Sequence, residues 1–303
     1  MGSLINALPG AVSQGLVWGI MALGVYVTYR ILDVADLTVD GSLATGGAVC
    51  VMLIRAGVNP WVALLAALVV GGLAGLVTAL LHTKCGIPAI LAGILTQLAL
   101  YSVNLRILTG KANQPVSVDK YPLLVSQRYV RELSLRNPIL LIVVIIAFII
   151  MVLYWFFGTE KGCSIRATGA NKSMARANGI NPDNDIILGL IISNALVALS
   201  GALIAQYQGS VDVNMGRGAI VIGLAAVIIG DVLFGKLCAG KKLAFACTLF
   251  SVIAGAILYY LVLSIILWLK FPSDDLKLFS AIVVAIFLAI PYLKNKKNAT
   301  RGL

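Results

Sequence analysis

A helix needs about 20 apolar residues to cross the hydrocarbon core of a bilayer. This chain supplies runs of that order one after another, at residues 7–29, 61–81, 87–108, 139–157, 186–206, 219–234, 243–269 and 278–293. A water-soluble domain of 303 residues could not cover so many. Apolar residues make up 60% of the chain and charged residues only 12%, against about 45–50% and about 25% in ordinary soluble domains. Too little polar surface is left to coat a globule in water, whereas lipid accepts apolar side chains. The expected fold is all-α, a polytopic transmembrane bundle of about 8–10 spans, in the bacterial inner (cell) membrane. The stretch 41–53 is apolar but short and interrupted by Gly46-Gly47. It predicts a broken or re-entrant helix, which is tolerated at membrane depth only when buried in protein or lining a cavity.

The net charge of +11 does not imply nucleic acid, because the basic residues sit in short loops between spans. They report topology instead: Lys and Arg favour the cytoplasmic side. Lys294, Lys296, Lys297 and Arg301 follow the last run without an acid among them, which places the C-terminus inside. Lys236, Lys241, Lys242, Lys161, Arg166, Lys172 and Arg176 fall on the same side. The loop 109–137, with Lys111, Lys120, Arg128, Arg131 and Arg136, opposes this by lying outside; the reversed topology would expose the basic tail and the 236–242 loop instead. Met1–Asn6 has no basic region, so the first run reads as a retained span and not as a cleaved signal. The organisation is one membrane domain over 1–303, with an extracytoplasmic loop at 109–137 and a cytoplasmic loop at 158–185.

Site chemistry is sparse. His82 is the one histidine, and Cys50, Cys85, Cys163, Cys238 and Cys247 show no C-x-x-C spacing, so no metal site, catalytic site or disulfide is expected. Glycines recur inside the spans, and Gly71-Gly72-x-x-Gly75 offers a small-residue face for close helix packing. The Gly-rich polar stretches 37–48 and 211–219 each follow a long span, a weak internal symmetry of the kind transporters carry.

The loop 158–185 is the most informative segment. It runs Thr159, Gly162, Ile165, Arg166, Ala167, Gly169, Asn171, Ala175, Gly179, Ile180, with a helix-favouring run at 173–177 stopped by Asn178-Gly179 and Pro182. A stubby helix between glycine turns, with small side chains, suits a socket in a partner. The pattern T-x-x-G-x-x-I-R-A-x-G-x-N-x-x-x-A-x-x-x-G-I resembles the ATPase-contacting loop of ABC importer permeases of the ribose and branched-chain amino-acid type. Residues 15–24, Asp40-Gly41-Ser42 with Gly46-Gly47-Ala48, and 224–230 with Phe234-Gly235 are similar to other parts of that family, so the resemblance covers most of 10–240. It implies a type II importer-like permease in which Arg166, Ala167, Gly169, Asn171, Ala175, Arg176 and Gly179 couple to the ATPase. Two ATPase chains would dock there, a second permease copy would complete the pathway, and an extracytoplasmic substrate-binding protein would deliver the solute. It also implies no cofactor on this chain, ATP and Mg being held by the ATPase. The stretch 235–242 approaches a phosphate-loop pattern but ends in Lys242 where a hydroxyl is required.

Gln97, Asn104, Asn194, Gln206, Tyr207, Gln208 and Asp212 are the polar residues in or beside spans and are candidates to line the path. Most are uncharged, which suits a neutral or zwitterionic solute; the branch most resembled implies an amino acid. Asp231, where the family more often has a small residue, is expected to form a local ion pair with Lys236. The mixed basic and apolar loop 121–133 could meet either an acidic face of the binding protein or lipid head groups. The rival reading, an ion-coupled secondary transporter, ordinarily requires paired mid-span acids or a His relay, and a membrane enzyme requires clustered His, Asp, Glu or Cys. Neither pattern is visible.

Overall fold

The computed structural model describes residues 2–130, 137–238 and 243–269, with isolated positions between 278 and 289. The last apolar run, the basic C-terminal tail, Lys241, Lys242, Arg131 and Arg136 lie largely or wholly outside the described residues. Ten helices are described: α1 (Gly2–Tyr26), α2 (Val39–Arg55), α3 (Pro60–Thr83), α4 (Ala89–Ile107), α5 (Pro138–Gly158), α6 (Glu160–Ala170), α7 (Lys172–Ala177), α8 (Pro182–Gln208), α9 (Ala219–Cys238) and α10 (Ala244–Trp268). Among the described residues six segments are long and apolar enough to span a membrane, and 219–235 is a shorter apolar helix. Beyond the all-α expectation, β1 (Asn113–Pro115) pairs antiparallel with β2 (Ser210–Asp212), Asn113 opposite Asp212 and Pro115 opposite Ser210. This small hairpin-like clasp closes one end of the bundle, and α6 and α7 lie at the other.

Three helices start by the same local device. Asn59, Asn137 and Asn181 each accept a hydrogen bond from the amide two residues on, and each is followed by a proline at the first helical position. Asparagine satisfies an otherwise unpaired donor of the first turn, and proline has no N–H to waste there. Pro182, read from sequence as a helix stop, is therefore also the start of α8. That helix ends on Gly209, whose φ of +72° is the left-handed terminating conformation.

The helices α1 and α8 form the centre. About four-fifths of their apolar windows are buried (83% and 78%), against 22% in α4 and 28% in α5, whose Leu98, Val144, Phe148 and Trp155 face outward. An apolar outer surface of this kind is stable in lipid and not in water. The glycines explain how the centre closes. Gly71 and Gly75 of α3 sit against the backbone carbonyls of Asn194 and Leu190 of α8, and Gly46 and Gly201 bring α2 and α8 into backbone contact. A Cβ at any of these would overlap main chain, so the predicted Gly71/Gly75 packing face is present.

Gly46-Gly47 does not interrupt a helix, as the sequence suggested, but lies inside continuous α2. The break falls earlier. After α1 the chain takes a wider π turn (Val27–Ile31) and residues 32–38 enter the bundle, so that Asp36 and Ser42 both reach Asn194, at the middle of α8. From the opposite end, residues 213–218 descend after α8, and α9 starts beside Asp40. Two long helices are thus each followed by a break and a helix that begins at mid-depth, entering from opposite ends. Of the two Gly-rich stretches noticed in sequence, 211–219 contains the second break, whereas 37–48 lies mostly in the first turns of α2, and the two touch: Gly216 packs on the Asp40 carbonyl.

The cysteines require one correction. Cys50, Cys85 and Cys163 are free, but Cys247 is disulfide-bonded. The expectation rested on the lack of C-x-x-C spacing, which signals metal and redox motifs and says nothing of pairing at other separations.

Candidate functional site

Two assemblies hold the polar side chains that could do more than pack. The first is the pair α6–α7. Thr159 caps α6, accepting from Gly162 N at 3.4 Å, and Gly162 packs on the Phe156–Phe157 backbone, so α6 leaves α5 by a sharp turn. Its inner face carries buried Ile165 and Thr168. Ser164 and Thr168 donate to one oxygen of Asp185, at 2.5 and 2.7 Å, which clamps α6 to the first turn of α8. An acid there is also favoured by the helix dipole. On another side Gly169 rests against the carbonyl of Ile31, where the π turn ends. Asn171 breaks the helix with extended dihedrals (φ −161°, ψ 105°) and caps α7, accepting from Met174 N at 3.0 Å. Gly179 turns the chain back with φ +80°, a conformation in which glycine is unstrained.

The helix-favouring run at 173–177 is α7, and the rest of the loop adds a second helix, α6, the two joined at Asn171. Ala175 is buried beneath α7, whereas Ala167, Asn171, Arg176 and Gly179 are exposed. Arg166 is exposed as well, but its guanidinium lies 5.6 Å from the ring of Phe245 in α10, turned toward its own bundle. Met174, which sequence reasoning passed over, is 65% exposed and is the apolar summit of α7.

The second assembly is a polar belt at mid-depth. Asn194 donates to Asp36 at 2.7 Å and accepts from Ser42 at 2.6 Å; Asp36 also accepts from Thr38 N at 2.9 Å. Thr38, Thr78 and Thr96 join their hydroxyls at 2.7 and 2.9 Å, tying the break to α3 and α4. Asp40 accepts from Gly218 N at 2.9 Å and Ile220 N at 3.0 Å, so a side chain of α2 caps α9.

The structure sorts the predicted path residues. Asn194 is spent on the belt. Gln206 is spent on Leu124 N at 3.0 Å and the Cys50 sulfur at 3.2 Å, holding the 121–130 segment. Gln208 is exposed at the end of α8, Tyr207 contacts the Gly10 carbonyl at 3.4 Å, and Asp212 accepts from Asn214 N at 2.7 Å in the turn after β2. Of the seven candidates only Gln97 and Asn104 line the cavity beside Asp40, of about 350 Å³. Sequence reasoning missed Asp36 and Asp185; an acid at the edge of an apolar run was the available signal. Asp231 sits 3.6 Å from Arg30, a partner distant in sequence; the side chain of Lys236, its expected partner, lies outside the described residues.

Comparison with known proteins places these features in a family. Residues 8–291 match the family described as "Branched-chain amino acid transport system / permease component". The chain belongs to it. It is a multi-pass membrane permease of the ABC importer type, as the residues of the 158–185 loop implied. The permease is 40% identical to the tyrosine transport system permease protein of Clostridioides difficile, over 98% of this chain and 96% of that one. It is 27% identical to the ribose import permease protein of Escherichia coli, over 75% of this chain and 69% of the relative. A solved structure, PsaBC from Streptococcus pneumoniae in complex with Fab, shares the fold at a TM-score of 0.55 and 17% identity, covering 97% of this permease and 99% of that chain.

Proposed function

We propose that this permease imports an amino acid, that ATPase subunits on separate chains drive it through α6–α7, and that an extracytoplasmic binding protein delivers the solute. The observation that carries the reading is the two-sided build of α6–α7. One face is locked to α8 by Asp185 and to the end of α1 by Gly169, while Ala167, Asn171, Met174 and Arg176 are left exposed. A partner that moves the exposed face must move α1 and α8, the two central helices, with it. The α6–α7 end is then cytoplasmic and the β1–β2 clasp faces outside, with the C-terminus inside. Two copies of the chain complete the pathway, with lipid around them. The chain itself needs no cofactor; ATP and Mg belong to the ATPase. The amino-acid class is favoured by the likeness to the tyrosine transport permease.

The test is reconstitution with the co-purifying ATPase in proteoliposomes. Gly169→Val places branched carbon against the Ile31 carbonyl and should cut uptake by about tenfold or more while hydrolysis continues, because the lever is displaced and not removed. Uptake and hydrolysis that stay in their wild-type ratio would defeat the assignment.

A further inference from the structure

The cavity beside Asp40 has more unspent polar groups than any packing role explains. Asn104 is 1% exposed, lines the cavity, and has no hydrogen-bond partner for either its Nδ2 or its Oδ1. The Oδ1 of Asn214, across the cavity, is also buried and unpartnered. Arg217 lines the same space, and among the described residues its guanidinium has neither an ion pair nor a hydrogen bond. Asp40 contributes a carboxylate whose two oxygens each accept one backbone N–H and retain free lone pairs. Buried amides left unpaired are rare because they forfeit hydrogen bonds to water without replacement. Two such amides, with the exposed guanidinium of Arg217 beside them, around one space of about 350 Å³, within the usual range for small-molecule sites, call for a ligand.

We infer that this cavity is a binding site for a small zwitterion, with its carboxylate on Arg217 and the Asn104 amide N–H and its ammonium on Asp40 and the side-chain oxygens of Asn104 and Asn214. The inference rests on the importer reading and supplies the place where the solute pauses. The charge pattern selects the class. A polyol leaves Arg217 uncompensated, an anion alone meets Asp40, and a cation alone meets Arg217; only a ligand with both charges satisfies both walls. Leu98 and Tyr101, exposed on α4 at the cavity rim, leave an apolar surface for the solute's side chain. Depth supports the assignment too. The cavity lies where α9 begins, beside the meeting of two interrupted helices, and such breaks are where membrane transporters hold their cargo.

The test uses the permease–ATPase complex in nanodiscs without the binding protein, so that the membrane site alone discriminates. Radiolabelled L-tyrosine is the probe, with L-leucine in a second series. Tyramine, 3-(4-hydroxyphenyl)propanoate and ribose are the competitors. Each analogue lacking one charge should bind about tenfold or more weakly than L-tyrosine, since a charged hydrogen-bonding partner is lost, and ribose should not compete. Arg217→Gln should weaken L-tyrosine by about tenfold and leave tyramine unchanged, with Arg217→Lys restoring part of the difference; Asn104→Leu should weaken both amino acids. Equal binding of the three tyrosine-shaped ligands to the wild-type complex overturns the proposal without relying on any variant. So does an Arg217→Gln complex of wild-type affinity, and in that case the importer reading stands. Ribose binding where neither amino acid binds removes the site and the amino-acid reading together.

Discussion

Asp185 offers the sharpest test of how α6 is attached. Its carboxylate, 5% exposed, takes hydrogen bonds from Ser164 at 2.5 Å and Thr168 at 2.7 Å. Bonds to a charged acceptor contribute about 1.5–3 kcal/mol each, so the pair bounds the clamp at about 3–6 kcal/mol. In Asp185→Ala, half-buried Ser164 recovers bonding to water, whereas Thr168, 0% exposed, cannot without moving. A net loss of about 2–4 kcal/mol follows, which raises the undocked fraction of α6 by a factor of about 30 to about 1,000. Hydrogen exchange in 163–170 should speed up by a similar factor, and solute imported per ATP hydrolysed should fall with it. Asp185→Asn keeps the shape and one good acceptor and should lie between the two. Wild-type exchange in 163–170 together with wild-type coupling in Asp185→Ala would refute the clamp.

Two further outcomes follow from the belt and the surface. Asn194→Leu removes the bonds to Asp36 and Ser42 and leaves a 3% exposed carboxylate with fewer partners; a loss of about 2–4 kcal/mol should lower the thermal midpoint of the purified complex by several degrees, and an unchanged midpoint would show that the belt contributes nothing to stability. Arg30 and Asp231 are 62% and 53% exposed at 3.6 Å, a pair worth about 0–1 kcal/mol, so Asp231→Asn should keep uptake within about twofold; a tenfold loss would mark Asp231 as part of the path.

The long apolar runs were legible because their period and length answer directly to the bilayer. The lever was legible in part: Gly169 and Gly179 sit where a close approach and a positive φ require glycine. Its division at Asn171 was not, because asparagine serves equally as a loop residue or a cap until the amide it accepts is known. The Gly46-Gly47 misreading has the same root. Glycine weakens an isolated helix, yet here the missing side chains admit the backbone of α8, and tertiary contact outweighs local preference. Asn194 and Gln206 looked like pore residues because a polar side chain in a span must be satisfied somehow; whether by solute or by protein depends on neighbours 82 to 158 residues away in the chain.

The shared end of α2 and α9 also bears on how the chain is made. Asp36 waits for Asn194 and Asp40 waits for the amides of 218 and 220, all synthesised long after the first helices have left the ribosome. Until then two acids stand at mid-depth without these hydrogen-bond donors, a state that lipid penalises. The early helices must therefore remain loosely arranged, or sheltered by the insertion machinery, until α8 and α9 arrive, and the second half of the chain sets the moment at which the first half locks.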